Sequence, residues 1–458
     1  MKNLLAHSAL AKALTLLVLV LLAALPLGSI GSLIEERGAS RQQAVDELAS
    51  TYARPQTVAV PFIVFPYTER WTEEKAGEKE KSMLVPRIKR SAQFVFPETS
   101  ALEGRLAPEQ RHRGIFSVMF YGLEASWTGR FAKFDPSALP RTERNSTIEP
   151  MAPYLAFAVK DVRGLQGRPA LSLGGTSMTW QPRVPDVDEA ALGGIHAPLP
   201  PELLKAWQDK GTLDYALNFT LVGQERLFVV PLADDNKAHI ASTWPHPGFG
   251  GKFLAARREV GAAGFDAQWA VSSLASSARS QFLQARSGKA TEPPDTFGVT
   301  LLEPLNVYSL TNRAIKYGLL FVALTLAAAY MFELFKDLRL HPIQYALVAL
   351  AISVFFLLLL ALSEKIPFAW AYGLAAGASS ALLTIYFGAV LRGWRRGLGL
   401  GGYVALLYAA LYGLLSSEDS ALLLGSLLLF GLLALFMVGT RRVDWYALGA
   451  RPSVSDAR

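Results

Sequence analysis

The residues best suited to chemistry lie between Asp234 and Gly251. Two histidines, His239 and His246, follow the adjacent Asp234 and Asp235, and all four side chains are of kinds that ligate metals or relay protons. Their spacing matches no common ligand pattern, and loop residues of this sort are more often structural, so no metal site is expected. The chain has no cysteine, which removes thiolate nucleophiles, Cys-ligated zinc and disulfides together. No G-x-S-x-G elbow, H-E-x-x-H helix, Walker loop or dinucleotide fingerprint occurs. The sequence therefore predicts no enzyme, no cofactor and no catalytic residue. The segment offers recognition instead. Trp244-Pro245-His246-Pro247-Gly248-Phe249-Gly250-Gly251 gathers two aromatics, a histidine, two prolines and three glycines in eight residues. Prolines and glycines fix an unusual backbone path, and Trp244, His246 and Phe249 on such a loop would suit a partner surface. The competing reading is a rigid turn whose aromatics fill the core.

The elements that carry this segment follow from composition. Of 458 residues, 51% are hydrophobic and only 18% charged, whereas soluble domains carry about 25% charged residues. The apolar excess sits near the N-terminus and after Arg313, and the region between reads as water-soluble. A first apolar run, Ala13 to Gly28 behind Lys2 and Lys12, matches a signal anchor better than a cleavable signal, because Ala24-Leu25-Pro26-Leu27-Gly28 is a poor cleavage site. Five further apolar stretches, at 315–335, 343–363, 368–391, 398–416 and 419–439, are each near the roughly 20 residues that a bilayer core requires. Six transmembrane helices are expected.

Orientation follows from the basic residues. Lys2, Lys12, Lys336, Arg339, Arg392, Arg395, Arg396, Arg441, Arg442, Arg451 and Arg458 fall on one side, while the short loops opposite contribute Lys365 alone. By the positive-inside rule both termini are cytoplasmic. Topology thus explains the net charge of +7 better than nucleic acid does, since no basic run interleaved with aromatics occurs. The expected organisation is an anchor at 1–30, a periplasmic β-rich domain at 31–312 inserted between helices 1 and 2, a five-helix bundle at 313–441 and a cytoplasmic tail at 442–458: an α+β membrane protein.

Within the exported domain, 32–52 reads as a short stalk helix. Leu213, Tyr215, Leu217, Phe219 and Leu221 alternate with Asp214, Ala216, Asn218 and Thr220, giving a strand with one apolar face. The turn at 222–226 into Leu227-Phe228-Val229-Val230 predicts a β-hairpin. Inside the spans ionisable residues are scarce. Glu333 and Glu364 read as helix-end carboxylates that reach the interface, which disfavours a pump or proton-coupled transporter. The fourth span carries Gly373, Gly377, Ala381, Thr384 and Gly388 at steps of three or four, a small-residue face for close helix packing in this chain or a second copy; Gly373, Gly377 and Thr384 are its candidate contacts.

Four segments carry a likeness to a known family. They are the Trp244 to Gly251 run, His341-Pro342-Ile343-Gln344-Tyr345, Leu362-Ser363-Glu364-Lys365-Ile366-Pro367-Phe368 with Ala371-Tyr372, and Thr440-Arg441-Arg442-Val443-Asp444-Trp445-Tyr446. In their order and spacing the chain resembles the CreD family of cell-envelope integrity inner-membrane proteins. The resemblance implies a bacterial inner-membrane protein linked to envelope integrity, tolerance of colicins and stress from cell-wall-targeting agents, often under a two-component regulator. It supplies no catalytic residues and no mechanism. Expected partners are the lipid bilayer and an envelope protein or lipid that meets the exported domain. The alternative is a channel or transporter built from the six spans; a membrane-bound enzyme acting on lipid or peptidoglycan precursors is a third reading, weakened by the missing polar constellation.

Overall fold

The computed structural model describes residues 9–76, 82–135, 139–185, 193–286, 292–303, 307–336, 340–416 and 421–441. The expected break at Ser417-Glu418-Asp419 and the tail at 442–458 lie outside these residues. The chain divides into two compact units, one of residues 1–42 with 305–458 and one of residues 43–304, so the divisions fall twelve residues after and eight before those expected at 30/31 and 312/313.

The helices are α1 (Ala9–Thr51), α2 (Pro201–Lys210), α3 (Ala278–Arg286), α4 (Val307–Lys316), α5 (Gly318–Lys336), α6 (Pro342–Ser363), α7 (Phe368–Val390), α8 (Trp394–Ser416) and α9 (Ala421–Thr440). The anchor and the predicted stalk are one helix, α1, which continues past Pro26. By length and composition α1, α6, α7 and α8 are able to cross a membrane, and α4 with α5, bent by 44°, forms a fifth candidate among the described residues. The sequence places α6 sharply. Pro342 occupies its first turn, the His341 ring accepts from the Ile343 N–H at 3.3 Å, and Gln344 Oε1 accepts from the His341 N–H at 2.9 Å, a reciprocal cap of two otherwise orphaned donors.

The second unit is built from β1 (Gln56–Ala59), β2 (Phe62–Ala76), β3 (Ser82–Val95), β4 (Thr99–Arg113), β5 (Phe116–Phe131), β6 (Thr147–Pro150), β7 (Tyr154–Ala158), β8 (Leu165–Leu173), β9 (Thr176–Met178), β10 (Gln181–Pro182), β11 (Gly194–Pro198), β12 (Leu213–Gln224), β13 (Arg226–Val230), β14 (Asp235–Ser242), β15 (Pro247–Gly251), β16 (Arg257–Gly261), β17 (Gly264–Ser272) and β18 (Phe297–Leu301). Three sheets result. Eight strands run in the order β16-β17-β14-β4-β5-β12-β8-β9. A second sheet runs β10-β11-β7-β2-β3, with β6 also on β2, and a third runs β1-β13-β18-β15. The alternation read at 213–221 is realised: its five large apolar residues are buried, and Asp214 and Asn218 face out. The predicted hairpin is not formed. β12 pairs with β5 and β8, whereas β13 pairs with β1 and β18. Glu225, at φ 52, turns the chain out of one sheet and into another.

The core of this unit is aromatic. Trp127 packs on Phe157 and Phe219 with ring centroids 6.0 and 6.3 Å apart, and its indole N–H donates to Ser100 Oγ at 2.7 Å. A buried indole thereby keeps its polar edge satisfied.

Candidate functional site

The Trp244 to Gly251 segment ends in β15, which pairs antiparallel with β18. Trp244 donates from Nε1 to the Leu302 carbonyl at 3.0 Å, and the Phe249 ring meets Phe265 at 5.8 Å and Trp269 at 5.9 Å, both edge-on. Two of the three candidate recognition residues are thus engaged with their own unit. His246 is exposed, its ring 6.1 Å from Trp244. Gly251 stands at φ +93, and a Cβ there would lie 2.7 Å from the Thr296 carbonyl carbon, so no other residue fits this turn.

The two histidines are not brought together into a ligand set. Asp234 accepts from Arg279 Nη1 at 2.8 Å and from Ser273 Oγ at 3.1 Å. His239 lies instead between two carboxylates from neighbouring strands, Nδ1 at 2.7 Å from Glu103 and Nε2 at 2.7 Å from Asp266. Hydrogen bonds to Asp266 and then Glu103 raise its pKa above the ordinary imidazole value by favouring the charged ring. No group of three metal-ligating side chains occurs among the described residues.

His239 borders an open groove of about 680 Å³ across the outward face of the eight-stranded sheet. Register builds its lining. His239 stands opposite Glu103, Glu103 opposite Ser126 and Ser126 opposite Asn218; in the adjoining row Arg105 faces Glu124, and Glu124 faces Thr220. Arg168 and Gln166 close the end on β8. Arg105 on β4 and Glu124 on β5 stand in its middle beside Ser126 and Asn218, with His239 and Arg168 toward its ends, a surface for a polar, extended ligand. Sequence reasoning missed this groove because its residues come from five strands and only pairing makes them neighbours.

In the helical unit, the small residues of α7 divide into two groups. A Cβ on Gly397 of α8 would lie 2.6 Å from Gly388 Cα and 2.7 Å from the Thr384 carbonyl, and one on Gly401 would run into Thr384 Oγ1. Thr384 and Gly388 therefore touch α8. Gly373 and Gly377 are exposed, with nothing within 4 Å of a Cβ built on either, so within the described chain they make no close helix contact. Nearer that end, helix packing uses polar aromatics: Tyr372 OH donates to the Tyr408 carbonyl at 2.7 Å, and Ser379 Oγ lies 3.0 Å from Tyr408 OH. Glu333 stands three residues from the end of α5. It is buried, paired with Lys12 of α1 and accepting from Tyr345 OH at 2.6 Å, because a carboxylate buried in an apolar setting needs partners.

The family model described as Inner membrane protein CreD matches residues 8–446. The chain belongs to the CreD family. It is 36% identical over 435 residues to Inner membrane protein CreD of Escherichia coli (strain K12), covering 93% of this chain and 92% of that one. It is therefore a multi-pass inner-membrane protein with a large β-rich domain. Among solved structures, an M1 zinc metallopeptidase from Deinococcus radiodurans aligns with 38% of each chain at 9% identity and a TM-score of 0.19, too low to bear on fold or function.

The segments that carried the CreD likeness are placed as structural devices. His341-Pro342-Ile343-Gln344 is the cap of α6, and Tyr345 reaches Glu333. Ser363 Oγ donates to the Leu360 carbonyl at 2.9 Å, closing α6, and Pro367 precedes α7. Residues 442–446 lie outside the described residues. The CreD-family chain also holds a site that the sequence reading overlooked. Glu69 is buried and accepts from the Thr142 N–H at 2.6 Å, the Glu143 N–H at 3.1 Å and Ser146 Oγ at 2.6 Å. Burial opposes its ionisation, but these donors outweigh burial and lower its pKa to about 2. The available signal was phase: Glu69 falls on the face of β2 that carries the buried Phe65 and Tyr67.

Proposed function

We propose that this chain contributes to cell envelope integrity and the envelope stress response by presenting its β-rich unit to an envelope protein in the periplasm, with no catalytic step of its own. In this reading six helices span the membrane, both termini are cytoplasmic and residues of about 31–312 are periplasmic. The distribution of Lys12, Arg392, Arg395 and Arg396 against Lys365 supports that orientation. The observation that carries the partner is the groove. Arg105, Glu124 and Arg168 line it with no hydrogen bond or ion pair to the described residues, while many other exposed guanidiniums of the unit, such as Arg70, Arg87 and Arg130, are paired with carboxylates. His246, exposed beside Trp244, is a second candidate contact on the same unit.

A photoreactive residue at Asn218, in the groove, should crosslink one protein species in intact cells, and one at Asp209 of α2 should not. Arg105→Ala with Arg168→Ala should abolish that crosslink and fail to complement an envelope-stress phenotype in a deletion strain. Full complementation by the stable double variant, with no crosslink from Asn218, would overturn the reading.

A further inference from the structure

Two charge clusters in the helical unit share one composition. At one end of α6, Glu333 of α5 receives Lys12 of α1 and the Tyr345 hydroxyl. At the other end, Glu364 receives the Tyr308 hydroxyl of α4 at 3.2 Å and lies 3.9 Å from Arg37 Nε of α1. Each cluster is a base from α1, a carboxylate from the bundle and a tyrosine from a third element. Glu333 and Glu364 side chains are 3% and 13% exposed, so both carboxylates depend on these partners.

The 25 residue steps from Lys12 to Arg37 span about 37 Å of helix at 1.5 Å per residue. A hydrocarbon core is about 30 Å thick. One cluster therefore stands near each boundary, and α1 runs parallel to α6. Between them α1 has little else to hold it. Only 17% of its apolar window is buried, against 22% for α7, 44% for α8 and 50% for α6. The buried part is a narrow seam, Ala23, Leu27, Ile30 and Ile34, with Leu27 packed at Gly318, where α4 breaks into α5. Leu14, Leu17, Leu21, Leu22 and Leu25 face outward. In lipid such apolar surface gives no preference for one helix over the solvent, so association rests on close packing and polar pairs.

We infer that Lys12 and Arg37 form a two-ended electrostatic clamp that fixes the depth and rotation of α1 and makes it a permanent member of the bundle. The Lys12–Glu333 end dominates, because its carboxylate is more deeply buried and both of its oxygens are engaged. Loss of either partner leaves the other charge without a counterion in an apolar setting, and α1 then shifts along or away from the Gly318 seam.

The chain has no native cysteine, so the seam is read directly in the full-length protein in native membranes. Leu27→Cys with Gly318→Cys places two thiols at the contact for a short bis-maleimide. The parent pair should crosslink rapidly. Adding Lys12→Gln or Glu333→Gln should slow crosslinking at least tenfold, Lys12→Arg should keep it near the parent rate, and the reversal Lys12→Glu with Glu333→Lys should restore most of it. A rate unchanged by both single neutralisations would overturn the clamp. So would Lys12→Arg or the reversal behaving like the neutral variants at equal protein level, since the pairing of charges, and not the particular side chains, is what the inference requires.

Discussion

The two units of this chain solve the placement of polar and bulky groups in opposite ways. The β-rich unit hides large aromatics and leaves most of its charges outside, paired between nearby strands, as Arg70 with Glu149 and Arg130 with Asp214, while the buried Glu69 is held by backbone and hydroxyl donors. The helical unit leaves many large apolar residues outside, such as Leu25 and Trp370, draws glycines into its closest contact and shelters its carboxylates with partners remote in sequence. The solvent is the cause. Water drives aromatic surface inward, whereas lipid does not distinguish Leu in the bundle from Leu on its surface, so backbone approach and polar pairs remain as the forces between helices. Removing bulk should therefore injure the β-rich unit most, and adding bulk the helical one.

The largest effect should come from Trp127→Ala, which empties a fully buried site and orphans Ser100 Oγ. Loss of a buried Trp costs about 3–5 kcal/mol. A fragment of residues 43–303 should fold alone with a β-dominated far-UV CD spectrum, and its urea midpoint should report this loss. Phe249→Ala should cost less, because that ring is only half-buried, and His246→Ala should leave the midpoint near wild type. Equal tolerance of Trp127→Ala and His246→Ala would dissolve the contrast between the units.

Next in size is Gly401→Leu, which drives a side chain into Thr384 where α7 and α8 touch. Overpacking of this kind costs about 1–3 kcal/mol, measurable as a lowered melting temperature of the detergent-solubilised protein. Gly377→Leu enters open space and should leave that temperature unchanged. If Gly377→Leu proves the more harmful, a second copy of the chain packs on that face, and the measurement to add is the oligomeric state.

A smaller effect concerns acid. The folded pKa of Glu69 is near 2, below the roughly 4.3 of an unfolded Glu. The stability that its ionised form contributes is present above about pH 4 and is lost as pH falls through the folded value. Melting of the 43–303 fragment should weaken between pH 4 and 2, and Glu69→Gln should flatten that dependence while lowering the midpoint at neutral pH, since all three donors converge on one oxygen and a neutral amide oxygen accepts from them more weakly than a carboxylate does. An unchanged acid profile in Glu69→Gln would remove the carboxylate from this role.

These contrasts also mark what the sequence discloses. Hydropathy marked out the apolar helices, and period-two alternation named the buried face of β12, because both are local properties. Pairing is not local. The same alternation suggested a 213–230 hairpin, although it says nothing about which strand lies alongside, and β12 took β5 and β8 as neighbours. Spacing put five small residues on one face of α7 but could not tell that, of these, Thr384 and Gly388 are the ones that touch α8 while Gly373 and Gly377 face open space. Glu333 was visible as an intramembrane carboxylate, yet its partner Lys12 stands 321 residues earlier. The groove was hidden for the same reason.

The smallest expected effect tests the groove end of the β-rich unit, where His239 links three adjacent strands through Glu103 and Asp266. Both carboxylates favour the imidazolium, so the folded pKa lies above the unfolded value of about 6.5. For a base with a raised folded pKa the contribution is fully present below the unfolded value and is lost as pH rises through the folded one. The site is partly exposed and solvent screens it, so the change should be slight. The melting temperature of the 43–303 fragment should decline gently as pH rises above the unfolded imidazole value, and His239→Gln should remove that decline, because a neutral amide neither gains nor loses charge there. Glu103→Gln should reduce it without removing it, since Asp266, the larger cause of the shift, would still favour the charged ring. The NMR titration of the His239 ring gives the same answer independently. A ring that titrates below the ordinary imidazole value, or a decline that persists in His239→Gln, would show that the two carboxylates do not hold it as a cation.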